Sequence, residues 1–445
     1  MFNKILIANR GEIALRIIRA CKELDIETVI VYSEADADTL AVRFADEALC
    51  IGASKSSESY LSMPRIVSAA EITNADAIHP GYGFLAENAE FAEVIESCGL
   101  TFIGPKPETI RVMGDKALAR ETMRGAGVPV IPGSEGSVES ALDAQKIAKD
   151  IGFPLLLKAV SGGGGRGLRI VESIDQVESA FTSASREADL AFGDGRMYME
   201  RYLRSPRHIE FQIAGDAKRC IHIGERECSI QRRHQKLLEE SPSPIMSPEL
   251  RNAMGEAAIK GAESVDYLGL GTMEFLLDPK GEFFFIEMNT RVQVEHPVTE
   301  CVSGIDLIKL QLRLAAGEDL YLDTDDIALT GHAIECRINA EDPDTGFTPC
   351  PGTVEVFHPP GGPGIRIDSH IYAGYRIPPH YDSLIAKLIS YGESRDEARR
   401  RMLRALDEFI IEGVKTTIPY HQRLLQNESF KAGEFSTDFI RTMEQ

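Results

Sequence analysis

The sequence predicts an α/β and α+β fold, and three observations carry it. Strand, helix and strand alternate at the N-terminal end, a glycine run sits between two strands, and an antiparallel hairpin ends in alternating polar groups. Lys4 to Ala8 is the first strand. Glu12 to Leu24 places Ile13, Leu15, Ile17 and Ile18 at helical spacing, and Thr28 to Tyr32 is a second strand. This βαβ unit predicts an open parallel α/β sheet. Asn9-Arg10-Gly11-Glu12-Ile13-Ala14 has a single glycine, so the dinucleotide fingerprint is missing. His79-Pro80-Gly81-Tyr82-Gly83-Phe84, followed by a helix over Leu85 to Glu96, is a strand-end loop that either faces a ligand crevice or is only a tight turn.

Further along, Leu155 to Lys158 is a strand that ends on a basic residue. Ser161-Gly162-Gly163-Gly164-Gly165-Arg166-Gly167 then leads into the strand Leu168 to Val171. A glycine loop between two strands is a hairpin flap, since a Walker A loop would run Gly-Lys-Ser/Thr into a helix. Bare backbone amides there, with Lys158 and Arg166, suit phosphate oxygens; a flexible linker is the alternative. Tyr198-Met199-Glu200-Arg201-Tyr202-Leu203 reads as a strand entering a linker. The most concentrated basic stretch is Gln231-Arg232-Arg233-His234-Gln235-Lys236. It is either a solvated face neutralised by Glu239 and Glu240 or a pocket for an anion.

The hairpin is the most informative element. Asp278-Pro279-Lys280-Gly281 has the preferences of a type I turn, so Gly271 to Leu277 pairs with Glu282 to Met288. In the expected register Leu277 faces Glu282 and Glu274 faces Phe285. Glu274, Glu287 and Asn289 then share one face within about 7 to 8 Å. Two carboxylates and an amide oxygen suit Mg2+ that completes its shell with water and phosphate, which makes the hairpin a candidate Mg-nucleotide floor. Glu287, Asn289, Arg291, Gln293 and Glu295 also alternate with apolar residues, as a solvated strand face does. Phe283 to Ile286 just before them argue for burial, and the chain is expected to leave strand geometry near Thr290.

Composition narrows the function classes. A chain of 445 residues holds roughly two to four domains. Its 48 basic and 69 acidic residues give a formal charge of -21, against nucleic-acid or anionic-membrane binding. Eight cysteines show no CxxC pair, so reduced and mostly buried thiols in a cytoplasmic protein are expected. The short apolar run at the N-terminus is too brief for a signal peptide or a span, and no membrane association is expected.

With these residues assembled, the chain resembles biotin carboxylases of the ATP-grasp superfamily over nearly its whole length. The resemblance lies in Ile7 to Ala14, His79 to Asn88, the glycine flap, Arg232 to Lys236, Phe285 to Glu300, and Glu335-Cys336-Arg337-Ile338-Asn339-Ala340-Glu341-Asp342-Pro343. It implies an ATP-grasp fold with an N-terminal α/β domain over 1–115, an ATP-grasp domain over 116–330 with a mobile lid over about 131–203, and a C-terminal α+β domain over 331–445. It further implies that Lys116, Lys158, Gly164, Gly165, Glu200, Arg201, Tyr202, Leu203, His208, Gln231, His234, Glu274, Leu276 and Glu287 would hold ATP. Glu274, Glu287 and Asn289 would hold Mg2+ or Mn2+. Lys236, Arg291, Gln293 and Val294 would seat bicarbonate, with Glu295 as base, and Arg337 and Tyr82 would contact biotin.

The implied activity is ATP-dependent carboxylation of the biotin ureido nitrogen through carboxyphosphate. The sequence has no Met-Lys-Met biotinylation site, so biotin is expected on a separate carboxyl carrier protein, with a separate carboxyltransferase and a homodimeric enzyme. Another ATP-grasp carboxylate-amine ligase and a non-catalytic nucleotide-binding subunit are the competing readings. Arg291 to Glu295 speaks against the first, and the joint presence of Glu274, Glu287, Asn289, Arg291 and Arg337 against the second. Compared with the family pattern, the Asp278 to Gly281 turn carries an extra residue, and a one-residue slip would turn Glu274 to the opposite face.

Overall fold

The computed structural model describes residues 1–159, 168–192, 195–233 and 235–444. Gly164, Gly165, Arg166 and His234 lie outside them, so the glycine flap is seen only through its flanking strands. The chain divides into two compact units, one of 1–128, 207–275 and 287–445, the other of 129–206 and 276–286.

In the larger unit, strands β1 (Lys4–Ile7), β2 (Glu27–Ser33), β3 (Glu47–Gly52), β4 (Ala77–His79) and β5 (Thr101–Phe102) form a parallel sheet in the order β3-β2-β1-β4-β5. Successive residues point to opposite faces, and both faces are buried. Leu6, Val29, Val31 and Ile78 enter one core, whereas Ile5, Ile7 and Ile30 pack with Ile13, Ile17 and Ile18 of the first helix, Gly11–Lys22. The helix expected to start at Leu85 runs instead over Ala89–Ser97. Asn88 caps it by accepting the Phe91 N–H at 2.7 Å, and Gly83 and Phe84 before it have φ of 70° and 41°, so the loop uses up the first expected turn.

The smaller unit contains β6 (Leu155–Ala159), β7 (Leu168–Val171) and β8 (Met197–Arg201), paired antiparallel in the order β7-β6-β8. The glycine loop therefore does join two paired strands. Helices Ala141–Ile151 and Ile174–Phe192 pack on this sheet through Ala144, Ala148, Val177 and Ala184.

Eight strands make the second large sheet. Strands β9 (Arg207–Gly215), β10 (Cys220–Arg232), β11 (Gln235–Ser241), β12 (Gly269–Leu277), β13 (Phe283–Asn289) and β14 (His332–Asn339) lie in the order β13-β12-β9-β10-β11-β14, followed by strands Leu384–Gly392 and Ile365–Ser369. One sheet thus runs from the hairpin to the C-terminal strands, because β11 and β14 pair with Glu239 opposite Glu335. On β14, Ile334, Cys336 and Ile338 enter the C-terminal core. The alternate face, which carries Glu335 and Arg337, turns to the helix His296–Ser303, where Ala333 and Ile389 meet Val298 and Val302.

The hairpin corrects the expected register. The Asp278 N–H donates to the Glu282 carbonyl at 2.8 Å, so Asp278, and not Leu277, is opposite Glu282. The Asp278 side chain accepts the N–H groups of Lys280 and Glu282, and Gly281 has φ of 87°. A type I turn followed by a left-handed glycine makes a three-residue loop with a bulge, which takes up the extra residue. Glu274 nevertheless stays on the same side as Asn289, whose amide donates to it at 2.8 Å. Strand β13 ends at Asn289, as the break near Thr290 requires.

Among the described residues the eight cysteines are unpaired; four are buried, two half-buried and two exposed, so burial is less general than expected. No described helix is long and apolar enough to cross a membrane.

Candidate active site

Five strands and one loop converge on a buried cluster of charges in the larger unit. Period-two alternation on β9 aims His208, Glu210 and Gln212 to one side. Lys236 on β11 reaches the same place and donates to Glu210 at 2.5 Å, Glu295 at 2.6 Å and Glu274 at 3.0 Å. Burial disfavours its ammonium form, but those three carboxylates hold it well above the ordinary lysine range. Glu295 also accepts Arg337 at 2.8 Å. Burial opposes its ionisation, and Lys236, Arg337 and Arg226 outweigh that and hold it well below the ordinary carboxylate range. Glu274 behaves likewise, because Lys236 and His208, the latter at 2.7 Å, overcome its burial.

Arg226 of β10 locks the floor of this cluster. Fully buried, it donates to Glu210, to Gln212 at 2.8 Å, to Thr299 at 3.0 Å and to Thr272 at 3.1 Å. Arg226→Ala would leave Glu210 with only Lys236, a cation it shares with Glu274 and Glu295, and would leave Gln212, Thr272 and Thr299 without their buried donor; it is expected to destabilise the chain by about 3–5 kcal/mol. Urea unfolding would read this as a large fall in midpoint, and an unchanged midpoint would contradict it.

Arg291 fans out beside the hairpin. It donates to Glu87 at 2.8 Å, to Gln293 at 3.1 Å and to Asn289 at 3.2 Å, while Glu87 also accepts the Thr290 N–H at 3.1 Å. Gln293 in turn donates to Glu274 at 3.1 Å. The Val294 carbonyl accepts Lys387 at 2.8 Å. Tyr82 donates to Glu12, which pairs with Lys387 at 3.1 Å.

The expected metal triad comes together in part. Burial and then repulsion from Glu274 push the Glu287 carboxyl up, so the two acids are close enough for their charges to interact. Asn289, however, turns its nitrogen toward Glu274 and its oxygen toward Arg291. An N–H satisfies a carboxylate that an amide oxygen would repel, so three oxygens do not converge as expected, and the amide must rotate to join them. Two carboxylates and one rotatable amide still form an oxygen-only set of the kind a hard divalent cation takes. His208, Glu210 and Glu274 also lie within 4.8 Å of one another, but Lys236 and Arg226 already neutralise that group.

The remaining expected residues are dispersed. Lys116 begins the helix Lys116–Gly125, is 88% exposed and reaches within 4.0 Å of Glu287. Gln231 pairs with Lys236 across β10 and β11. In the smaller unit Lys158 forms an ion pair with Glu200, Arg201 meets Glu282 at 3.2 Å, and the Tyr202 N–H donates to the Pro154 carbonyl at 2.9 Å. Leu203 and Leu276 are half-buried there. Glu87, Glu210, Arg226 and Glu239 are not among the residues expected from sequence. His208, Glu210 and Gln212 carry the same alternation as residues 287–295. Arg226 and Glu239 have no such signal.

Comparison with known proteins decides the family. Models for the biotin carboxylase N-terminal domain, the carbamoyl-phosphate synthase L chain ATP-binding domain and the biotin carboxylase C-terminal domain match residues 1–110, 115–322 and 335–442. The biotin carboxylase of Nostoc sp. is 57% identical over 445 residues, covering 100% of both chains. The chain belongs to the biotin carboxylase family. Biotin carboxylases are ATP-grasp ligases that use ATP, Mg2+, bicarbonate and biotin. The crystal structure of a Campylobacter jejuni biotin carboxylase-beta-gamma-ATP complex is 50% identical and covers 99% of each chain with a TM-score of 0.91. The biotin carboxylase domain dimer of Hydrogenobacter thermophilus 2-oxoglutarate carboxylase, solved with MgADP, ADP and bicarbonate, is 50% identical with a TM-score of 0.90, covering 100% of this chain and 98% of that one.

Proposed function

We propose that this biotin carboxylase charges biotin on a separate carrier protein, and that Lys236 and Arg337 meeting on Glu295 are the centre of its chemistry. The convergence of two cations on one buried carboxylate is the observation that carries this reading. Lys236, Arg291, Gln293 and the Val294 backbone seat bicarbonate. At rest Glu295 is a weak base, held down by its cations. When anionic bicarbonate takes over their donors, that hold weakens and the carboxylate becomes basic enough to accept the bicarbonate proton.

The freed oxygen attacks the γ-phosphorus of ATP, the bond to ADP breaks, and carboxyphosphate forms. Carboxyphosphate releases CO2 and phosphate, phosphate removes the ureido N–H proton, and the nitrogen adds to CO2. Arg337 stabilises the oxygen charge that develops on biotin, beside Tyr82. Glu274, Glu287 and a rotated Asn289 would hold Mg2+, which offsets phosphate charge when bound. His208, Gln231 and Lys116 are candidate ATP contacts in the larger unit, and Lys158, Glu200 to Leu203 and Leu276 in the smaller one. His234, Gly164 and Gly165 complete that set by resemblance.

We further infer functional segments over 1–115, 116–330 and 331–445, a homodimer, a carboxyltransferase partner that selects the final acceptor, and a cytoplasmic location in keeping with unpaired cysteines. The test is ADP release by the purified chain given Mg-ATP, bicarbonate and free biotin. Full rate should need both bicarbonate and biotin, and turnover indifferent to bicarbonate would overturn the reading.

A further inference from the structure

Two carboxyls beside Arg337 have no part in the chemistry above. Glu239 and Glu335 are direct cross-strand partners on β11 and β14, and both have 0% exposure. Side chains so paired stand on one face of the sheet with Cβ atoms about 4.5–5.5 Å apart. Arg337 takes Oε1 of Glu239 at 2.6 Å. Oε2 of Glu239 and both oxygens of Glu335 have no hydrogen-bond partner among the described residues.

Among the described residues the cations nearby are engaged elsewhere, Lys236 with Glu210, Glu274 and Glu295. Arg337 is divided between Glu239 and Glu295, and Lys387, from the neighbouring strand, binds Glu12 and the Val294 carbonyl. The helix His296–Ser303 brings Cys301 and a His296 that burial keeps neutral. Arg366, Asp368 and Glu300 pair among themselves. A second negative charge next to Glu239 would thus have no cation in direct contact among the described residues, and a buried carboxylate in that position takes up a proton instead. Burial raises both carboxyls, with Arg337 opposing it at Glu239 and Lys387 at Glu335.

We propose that Glu239 and Glu335 hold one proton between them, the Glu335 O–H donating to Oε2 of Glu239, and that this pair is a positioning device that keeps Arg337 turned toward Glu295. With Glu335 neutral, Glu239 carries a single charge that Arg337 can match while it also binds Glu295. Ionisation of Glu335 adds a second charge on the same side and draws the guanidinium away. Only this kinetic consequence rests on the biotin role of Arg337; the shared proton does not.

The native chain keeps on Glu335 a proton that the unfolded chain has released, so stability falls as pH rises from the unfolded pKa toward the raised native one. Glu335→Gln mimics the neutral acid and is tested in the full chain. Infrared difference spectra of the unsubstituted chain at neutral pH should show a buried carboxylic-acid band that Glu335→Gln removes, and its melting temperature should decline less on going from mildly acidic to mildly alkaline buffer. Its biotin-dependent rate at neutral pH should stay within about threefold, with the alkaline limb moved up by about one pH unit or more. Glu335→Met, which also removes the acid, should lose the same band. An unaltered band together with an unaltered pH dependence of melting would overturn the shared proton. Loss of the band with an unmoved alkaline limb would overturn the positioning of Arg337.

Discussion

Glu295→Gln is expected to lower bicarbonate-dependent ADP release by about 10²–10⁴-fold, the range general-base catalysis supplies. The substitution keeps shape and removes the one carboxylate on which both Lys236 and Arg337 close. Lys236 retains Glu210 and Glu274, and Arg337 retains Glu239, so the cations stay paired and the fold should persist. The loss should therefore appear in kcat, with little change in the KM for ATP. Steady-state ADP release at saturating bicarbonate is the measurement. A variant within about threefold of the unsubstituted enzyme would remove Glu295 from the role of base.

Arg337→Ala should separate the two half-reactions. Biotin-dependent turnover is expected to fall by about 10²–10³-fold, as when a donor to a developing oxyanion is removed. Bicarbonate-dependent ATP cleavage without biotin should persist in part, because Lys236 and Arg291 remain. Removing the guanidinium also leaves Glu239 and Glu295 less compensated in a buried site, so the variant should melt lower. The ratio of the two activities in one preparation is insensitive to the folded fraction, which makes it the decisive readout. Equal loss of both activities would show that Arg337 is not confined to biotin.

Legibility differed with range. The first strands and helix, the paired strands around the glycine loop and the hairpin were readable because each is set by local periodicity and turn chemistry. The hairpin register slipped at its turn because a left-handed Gly281 adds a bulge that the residue preferences of a type I turn do not distinguish. His208 and Glu210 lie on a strand as readable as the stretch after residue 287, yet only one of the two was expected. The helix start at Ala89 depended on a cap by Asn88 that competes with apolar spacing.

By itself the sequence determined the family, the chemistry of the residue types and the proximity of Glu274 to Asn289, since a hairpin brings near neighbours together whatever the rest of the chain does. Only the tertiary structure decided which charges share a compartment. Arg337 meets Glu295 across 42 positions, and Lys236 meets the same carboxylate across 59. Those meetings follow from β11 pairing with β14, which carries the sheet from the hairpin into the C-terminal strands. Strand order between distant segments is set by the packing of whole faces, and no local pattern encodes it. For the same reason Glu335 looked like one residue of a C-terminal motif, whereas in the fold it stands buried opposite Glu239 with no hydrogen-bond partner among the described residues.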